Sequence, residues 1–82
     1  MVSRKKWFVH GVATKVRHRK NGIWVTAKGR FGNDCISSRT SIDCWIPNYL
    51  VDNRRNYFKH FDVSGVLVFE DNDTYLLVEQ IG

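Results

Sequence analysis

At 82 residues the chain has room for one domain and not two. It is rich in aromatic rings (three Trp, three Tyr, five Phe), and so small a core does not bury all of them. Behind the Arg4-Lys5-Lys6 cluster the apolar run extends only from Trp7 to Val9. That is short of the about 7–15 residues of a signal peptide or the about 20 of a membrane span, so a soluble, cytoplasmic chain with no membrane partner is expected.

The net charge of +5 is unevenly spread. Residues 1–40 carry ten basic side chains (Arg4, Lys5, Lys6, Lys15, Arg17, Arg19, Lys20, Lys28, Arg30, Arg39) against the single acid Asp34. Residues 41–82 carry Arg54, Arg55 and Lys59 against seven acids. One strongly positive half is an arrangement that attracts a polyanion.

In chain order, Lys6 to Val12 reads as the start of a first strand, with Gly11 as the place for a bulge. Asn21-Gly22 is the strongest turn signal, because this pair supplies the positive φ angles of a two-residue type I′ hairpin. The stretch Ile23 to Phe31 alternates with period two: Ile23, Val25, Ala27 and Phe31 face one way, Trp24, Thr26, Lys28 and Arg30 the other. A type I′ turn at 21–22 sets Val16 opposite Ala27, His18 opposite Val25 and Val12 opposite Phe31 on the apolar side. On the other side it sets Arg19 opposite Trp24, Arg17 opposite Thr26 and Lys15 opposite Lys28. One face thus gathers Lys15, Arg17, Arg19, Lys28 and Arg30 around Trp24. Like charges placed across a ladder destabilise a hairpin, which makes an anionic ligand the natural explanation for them.

After a turn at Phe31 to Asp34, a third strand is clear over Ile42 to Ile46, with Ile42, Cys44 and Ile46 inward and Trp45 outward. The polar stretch Ser37 to Ser41 is either its exposed beginning or a loop. Pro47 ends it. Asn48 to His60 does not alternate and reads as a short helix or turn. Phe61 to Glu70 is a fourth strand, Asp71-Asn72-Asp73 a turn, and Thr74 to Ile81 a fifth strand. The expected fold is therefore an all-β, five-stranded barrel with one short helix between strands three and four, occupying residues 1–82 as a single nucleic-acid-binding domain.

This order of elements resembles the OB-fold, a five-stranded Greek-key barrel that binds oligonucleotides or oligosaccharides on strands two and three and the adjoining loops. An SH3-like barrel is the alternative. Within the OB group, Tyr57-Phe58-Lys59-His60 leading into Asp62-Val63-Ser64-Gly65-Val66-Leu67-Val68 is similar to the helix-to-fourth-strand passage of bacterial single-stranded DNA-binding proteins and primosomal replication protein B. Lys28-Gly29-Arg30-Phe31-Gly32 is similar to a fragment of cold-shock domains, but it lies too far from Lys6-Trp7-Phe8 for that family.

The resemblance implies that the basic hairpin face lies where such folds bind ligand. Single strands are held by cations along the phosphates and by rings under the bases. The expected nucleic-acid-binding residues are Lys15, Arg17, Arg19, Lys20, Lys28 and Arg30, with Trp24 and Trp45 as stacking rings; Trp7 is assigned to the core. Arg54 and Arg55 fit solvation of the 48–60 segment better than ligand binding. Cys35 and Cys44 lie nine apart without a second pair, so they are expected as reduced, mostly buried thiols, with a hairpin disulfide left open in an oxidising compartment. His10, His18 and His60 show no metal spacing, and no catalytic motif is present, so neither metal, cofactor nor enzymatic activity is expected.

The expected function is binding of nucleic acid, single-stranded DNA above all, in replication or a phage or mobile-element accessory role. The alternative is a small inhibitor or adaptor that presents the same face to an acidic protein partner. Exposed strand edges leave room for a homodimer.

Overall fold

The computed structural model describes residues 1–82 as five strands: β1 (Trp7–Arg19), β2 (Gly22–Gly32), β3 (Ser37–Pro47), β4 (Phe61–Glu70) and β5 (Asp73–Ile81). They close into a barrel in the order β1-β2-β3-β5-β4. Every neighbouring pair is antiparallel except β3 and β5, which touch in parallel at Cys44–Leu76 and Trp45–Leu77. This is the OB-like of the two barrels open to the sequence. Its sign is the long β1, whose residues 8–11 pair with both β2 and β4 while those after Gly11 follow β2 alone.

Alternation along each strand fills the interior. Val9 and Ala13, then Ile23, Val25 and Ala27, Cys44 and Ile46, Phe61, Val63 and Leu67, and Leu76 and Val78 are all buried in one cluster. Trp7 packs against it, stacked on Phe31 with centroids 5.0 Å apart, as its position in the sequence implies.

Two features of the first hairpin differ from expectation. Arg19 pairs with Gly22, so the turn residues are Lys20 and Asn21, and neither Asn21 nor Gly22 takes a positive φ. The ladder is displaced by two residues: Val16 faces Val25, His18 faces Ile23, Arg17 faces Trp24 and Lys15 faces Thr26. The reason lies outside the hairpin. A Cβ on Gly22 would lie 2.8 Å from the Trp45 ring and closer still to the Ile46 carbonyl, so this glycine is required by β3 and is drawn into the strand. Asn48 then fixes the turn, its Nδ2 donating to the Lys20 carbonyl (2.8 Å) and its backbone N–H to that of Asn21 (3.1 Å).

The second difference is the bulge, which falls at Thr14 and not at Gly11. The Thr14 hydroxyl donates to the Thr26 carbonyl (3.1 Å) and holds the extra residue in place. Gly11 instead lies opposite Gly29, where the two backbones approach too closely for any Cβ. The bulge reverses the side on which β1 residues point. Val12, expected inside against Phe31, is turned outward opposite Lys28, and His18 is exposed.

Between β3 and β4 the helix is a single 3-10 turn, Asn48–Leu50, followed by irregular turns. The non-alternating residues close the barrel end with one ring: Tyr57 is buried edge-on against Phe61 (5.5 Å, 87°), and its hydroxyl accepts from the Asp52 N–H (3.2 Å). Ser37 to Ser41 is a true strand, paired with β2 as far as Ser37–Gly32. Residues 1–3 lie along the end of β4, with Val2 bridged to Val68. No helix is long and apolar enough to cross a membrane.

Both cysteines are free thiols, but only Cys44 is buried; Cys35 is exposed in the β2–β3 turn. Burial, with the Asp43 charge next in weight, pushes the Cys44 thiol from the usual 9.0 up to about 12.

Two outcomes follow from this architecture. Gly11→Ala is expected to cost about 1–3 kcal/mol, the usual price of forced overpacking, seen as a lower urea midpoint at unchanged slope; Ser38→Ala on an exposed strand position serves as the neutral control. For Cys44, the unfolded chain loses its thiol proton first as pH rises. Its contribution to stability is therefore complete below about pH 9 and is lost between about 9 and 12. Stability against denaturant across that range should fall more steeply for the natural chain than for Cys44→Ala, and a thiol reagent at pH 8 should titrate Cys35 alone until the chain unfolds.

Candidate nucleic-acid interface

The outer surface of β1, β2 and β3 is laid out in rows by the ladder. Arg17, Trp24 and Trp45 form one row, and Lys15, Thr26 and Asp43 the next. Val12, Lys28 and Ser41 follow, then His10, Arg30 and Arg39. Rows are about 6.6 Å apart, two residues of strand rise. The displaced pairing moved the part of β1 after the bulge by two residues, so Lys15, Arg17 and Arg19 remain on the face of Trp24, Lys28 and Arg30.

Trp24 is the centre of an aromatic cluster. Its ring lies 5.0 Å from Trp45, tilted by 54°, and 5.0 Å from Tyr75, edge-on at 82°. Pairs of this geometry attract one another beyond the area they bury. All three rings are half-buried, with their remaining surface on the outer face. Burial, and secondarily the charge of Glu70, push the Tyr75 hydroxyl above its ordinary value.

All eight expected site residues lie on this side or at its hairpin tip, but not in the expected arrangement. Lys15 does not face Lys28; Thr26 stands opposite Lys15, and Lys28 lies between Val12 and Ser41. Arg17, not Arg19, is the neighbour of Trp24. Arg19 at the strand end turns back and donates from Nη1 to the His18 carbonyl (3.1 Å), and Lys20 occupies the turn. The like-charge opposition exists elsewhere, between Arg30 and Arg39.

Arg39 and Tyr75 belong to the surface although the sequence did not single them out. Counting back from Ile42 places Arg39 outward, a signal that was legible. Tyr75 is brought in by contact between β3 and β5, which no local pattern reports.

The charges are organised by their partners. Lys6 pairs with Glu79, Arg54 and Arg55 both pair with Asp52 (3.4 Å each), and His60 pairs with Asp62 (2.7 Å). The Arg54 backbone N–H, followed by the two guanidinium groups, holds Asp52 below the usual carboxylate range. Arg54 and Arg55 thus share one carboxylate, which offsets one of their two charges. By contrast, none of Lys15, Arg17, Arg19, Lys20, Lys28, Arg30 or Arg39 forms an ion pair. The Nε of Arg17 is buried without a hydrogen-bond partner. Asp43 is the acid in the middle of this face, and its Oδ1 accepts from the Thr26 hydroxyl (2.7 Å).

No group of three or more His, Cys, Asp or Glu side chains is placed to hold a metal ion. Compared with protein-family models, with curated proteins and with solved structures, the chain has no match.

Opposed arginines repel. Arg39→Glu, which converts the Arg30–Arg39 opposition into an attractive pair, is expected to raise stability by about 0.2–1 kcal/mol. The gain should shrink as salt is added, because both side chains are exposed and screened; thermal unfolding at low and high salt measures it.

Proposed function

We propose that this protein binds single-stranded nucleic acid along the outer face of β1, β2 and β3, in a replication or mobile-element accessory role. The observation that carries the reading is seven unpaired cations disposed around the Trp24–Trp45–Tyr75 cluster. A polyanion relieves the repulsion among these cations and releases its own counterions in doing so. The rings offer a surface that any base can stack on, while the open, row-like cationic face follows an extended backbone. A buried guanidinium nitrogen without a partner at Arg17, beside Trp24, fits a donor awaiting a phosphate or base oxygen.

Titration of the chain with a thymidylate oligonucleotide should quench tryptophan emission. The affinity should fall with salt at a logarithmic slope of about −3 to −4, as for four to six phosphate contacts on a single strand. Trp24→Ala should weaken binding by about 1–3 kcal/mol at nearly unchanged slope. Lys28→Glu combined with Arg30→Glu, both exposed, should flatten the slope while the chain stays folded. Unchanged emission and no binding at low salt, together with a nuclease-resistant protein complex on the same face, would assign the surface to an acidic protein instead.

A further inference from the structure

Beside Trp24 the outer face sinks into a groove of about 300 Å³, room for a single base at the lower end of small-ligand sites. Its charges stand on opposite sides of the indole. Arg17 and Arg19 come from β1; Asp43 comes from β3, and Glu70 and Asp73 from the paired ends of β4 and β5. Oppositely charged groups around so small a space would be expected to close on one another. They do not: no arginine–carboxylate pair forms between them, Arg19 is turned to the His18 carbonyl, Asp43 is held by Thr26, and the Arg17 Nε is buried without a partner. The Glu70 charge is near enough to Tyr75 to bear on its hydroxyl.

Three acids are also out of place on a face built to attract phosphates. They repel the backbone of the strand, so their partner is a group that donates hydrogen bonds. Among the bases, guanine alone carries two adjacent donors, N1–H and the N2 amino group, on its Watson–Crick edge, and that edge matches a carboxylate. Adenine and cytosine place a ring acceptor beside their amino group, which a carboxylate repels, and thymine has one N–H between two carbonyls. The other edge of guanine, O6 and N7, is the preferred target of arginine. Resting on the nucleic-acid reading above, we infer that this groove is a guanine subsite. The base lies against Trp24 with its O6/N7 edge toward Arg17 and Arg19 and its N1/N2 edge toward the carboxylates. The rest of the face grips the strand without regard to sequence; this groove selects one base.

The test uses the full chain and four labelled octamers at low salt: all thymidylate, or thymidylate with one central guanine, adenine or cytosine, followed by fluorescence anisotropy. The guanine octamer is expected to bind about tenfold tighter than the other three, the discrimination of a bidentate base contact. Hypoxanthine, lacking the N2 amino group, and 7-deazaguanine, lacking N7, should each lose most of that advantage. Glu70→Gln with Asp73→Asn, exposed at the hairpin end, should abolish the preference while binding plain thymidylate as well or better; Asp43→Asn is a second, independent variant should the first fail to fold. Equal affinity for all four octamers, with Trp24→Ala still weakening each, overturns the subsite and leaves strand binding standing. Failure of every octamer to bind overturns both.

Discussion

The architecture depends on one extra residue. Thr14 bulges out of β1 and is tied by its hydroxyl to the Thr26 carbonyl. Before it, odd-numbered Val9 and Ala13 point inward; after it the alternation is reversed, so Lys15, Arg17 and Arg19 point outward beside even-numbered Trp24, Lys28 and Arg30 of β2. A bulge also bends and twists the strand that holds it. It therefore serves two ends at once, carrying β1 from its partner β4 to β2 alone and setting all the cations of both hairpin strands on one side. A strictly regular β1 with the same inward start would have turned the charged residues of its second half toward the core, where unpaired charge is not tolerated.

Cohesion and charge are kept apart in this fold. The interior is wholly apolar, with no buried polar or charged residue, and the barrel closes without a free edge between β1 and β4. The acids that pair with lysine or arginine do so on the 52–55 segment and between Lys6 and β5, through Asp52 and Glu79. Of the cations left without an ion-pair partner, most lie on β1, β2 and β3 or at the hairpin tip, with Arg4, Lys5 and Lys59 elsewhere. Surface ion pairs contribute little to stability, so omitting them from one face costs the fold little and leaves that face with a strong field. The Arg30–Arg39 opposition is the local expense of this arrangement.

The strands, their inward residues and the closing barrel were legible because period-two alternation is a direct trace of a half-buried sheet. The face of the cations was legible too, since a displacement by two residues preserves it. The pairing itself was not. Asn21-Gly22 has the composition of a type I′ turn, yet Gly22 answers to Trp45 and Ile46, and Asn48 supplies the restraint on the turn; these contacts join residues more than twenty positions apart. The bulge was misplaced for a related reason. Glycine is the usual mark of one, but Gly11 is demanded by the approach of Gly29, while Thr14 carries no such mark. Tyr75 and the acids around Trp24 came together only through closure of the barrel, which alternation within a strand does not encode.

The restraint on the hairpin tip has a kinetic meaning. Loops at the mouths of binding surfaces commonly swing, and their ordering then slows or taxes association. Here Lys20 and Asn21 are clasped by Asn48, itself anchored directly behind Pro47 at the end of β3. The tip is thereby tied to the barrel wall at two points. Under the binding proposed above, a strand reaching Trp24 would meet a surface already in its final shape, and its capture would be governed by diffusion and the pull of the field.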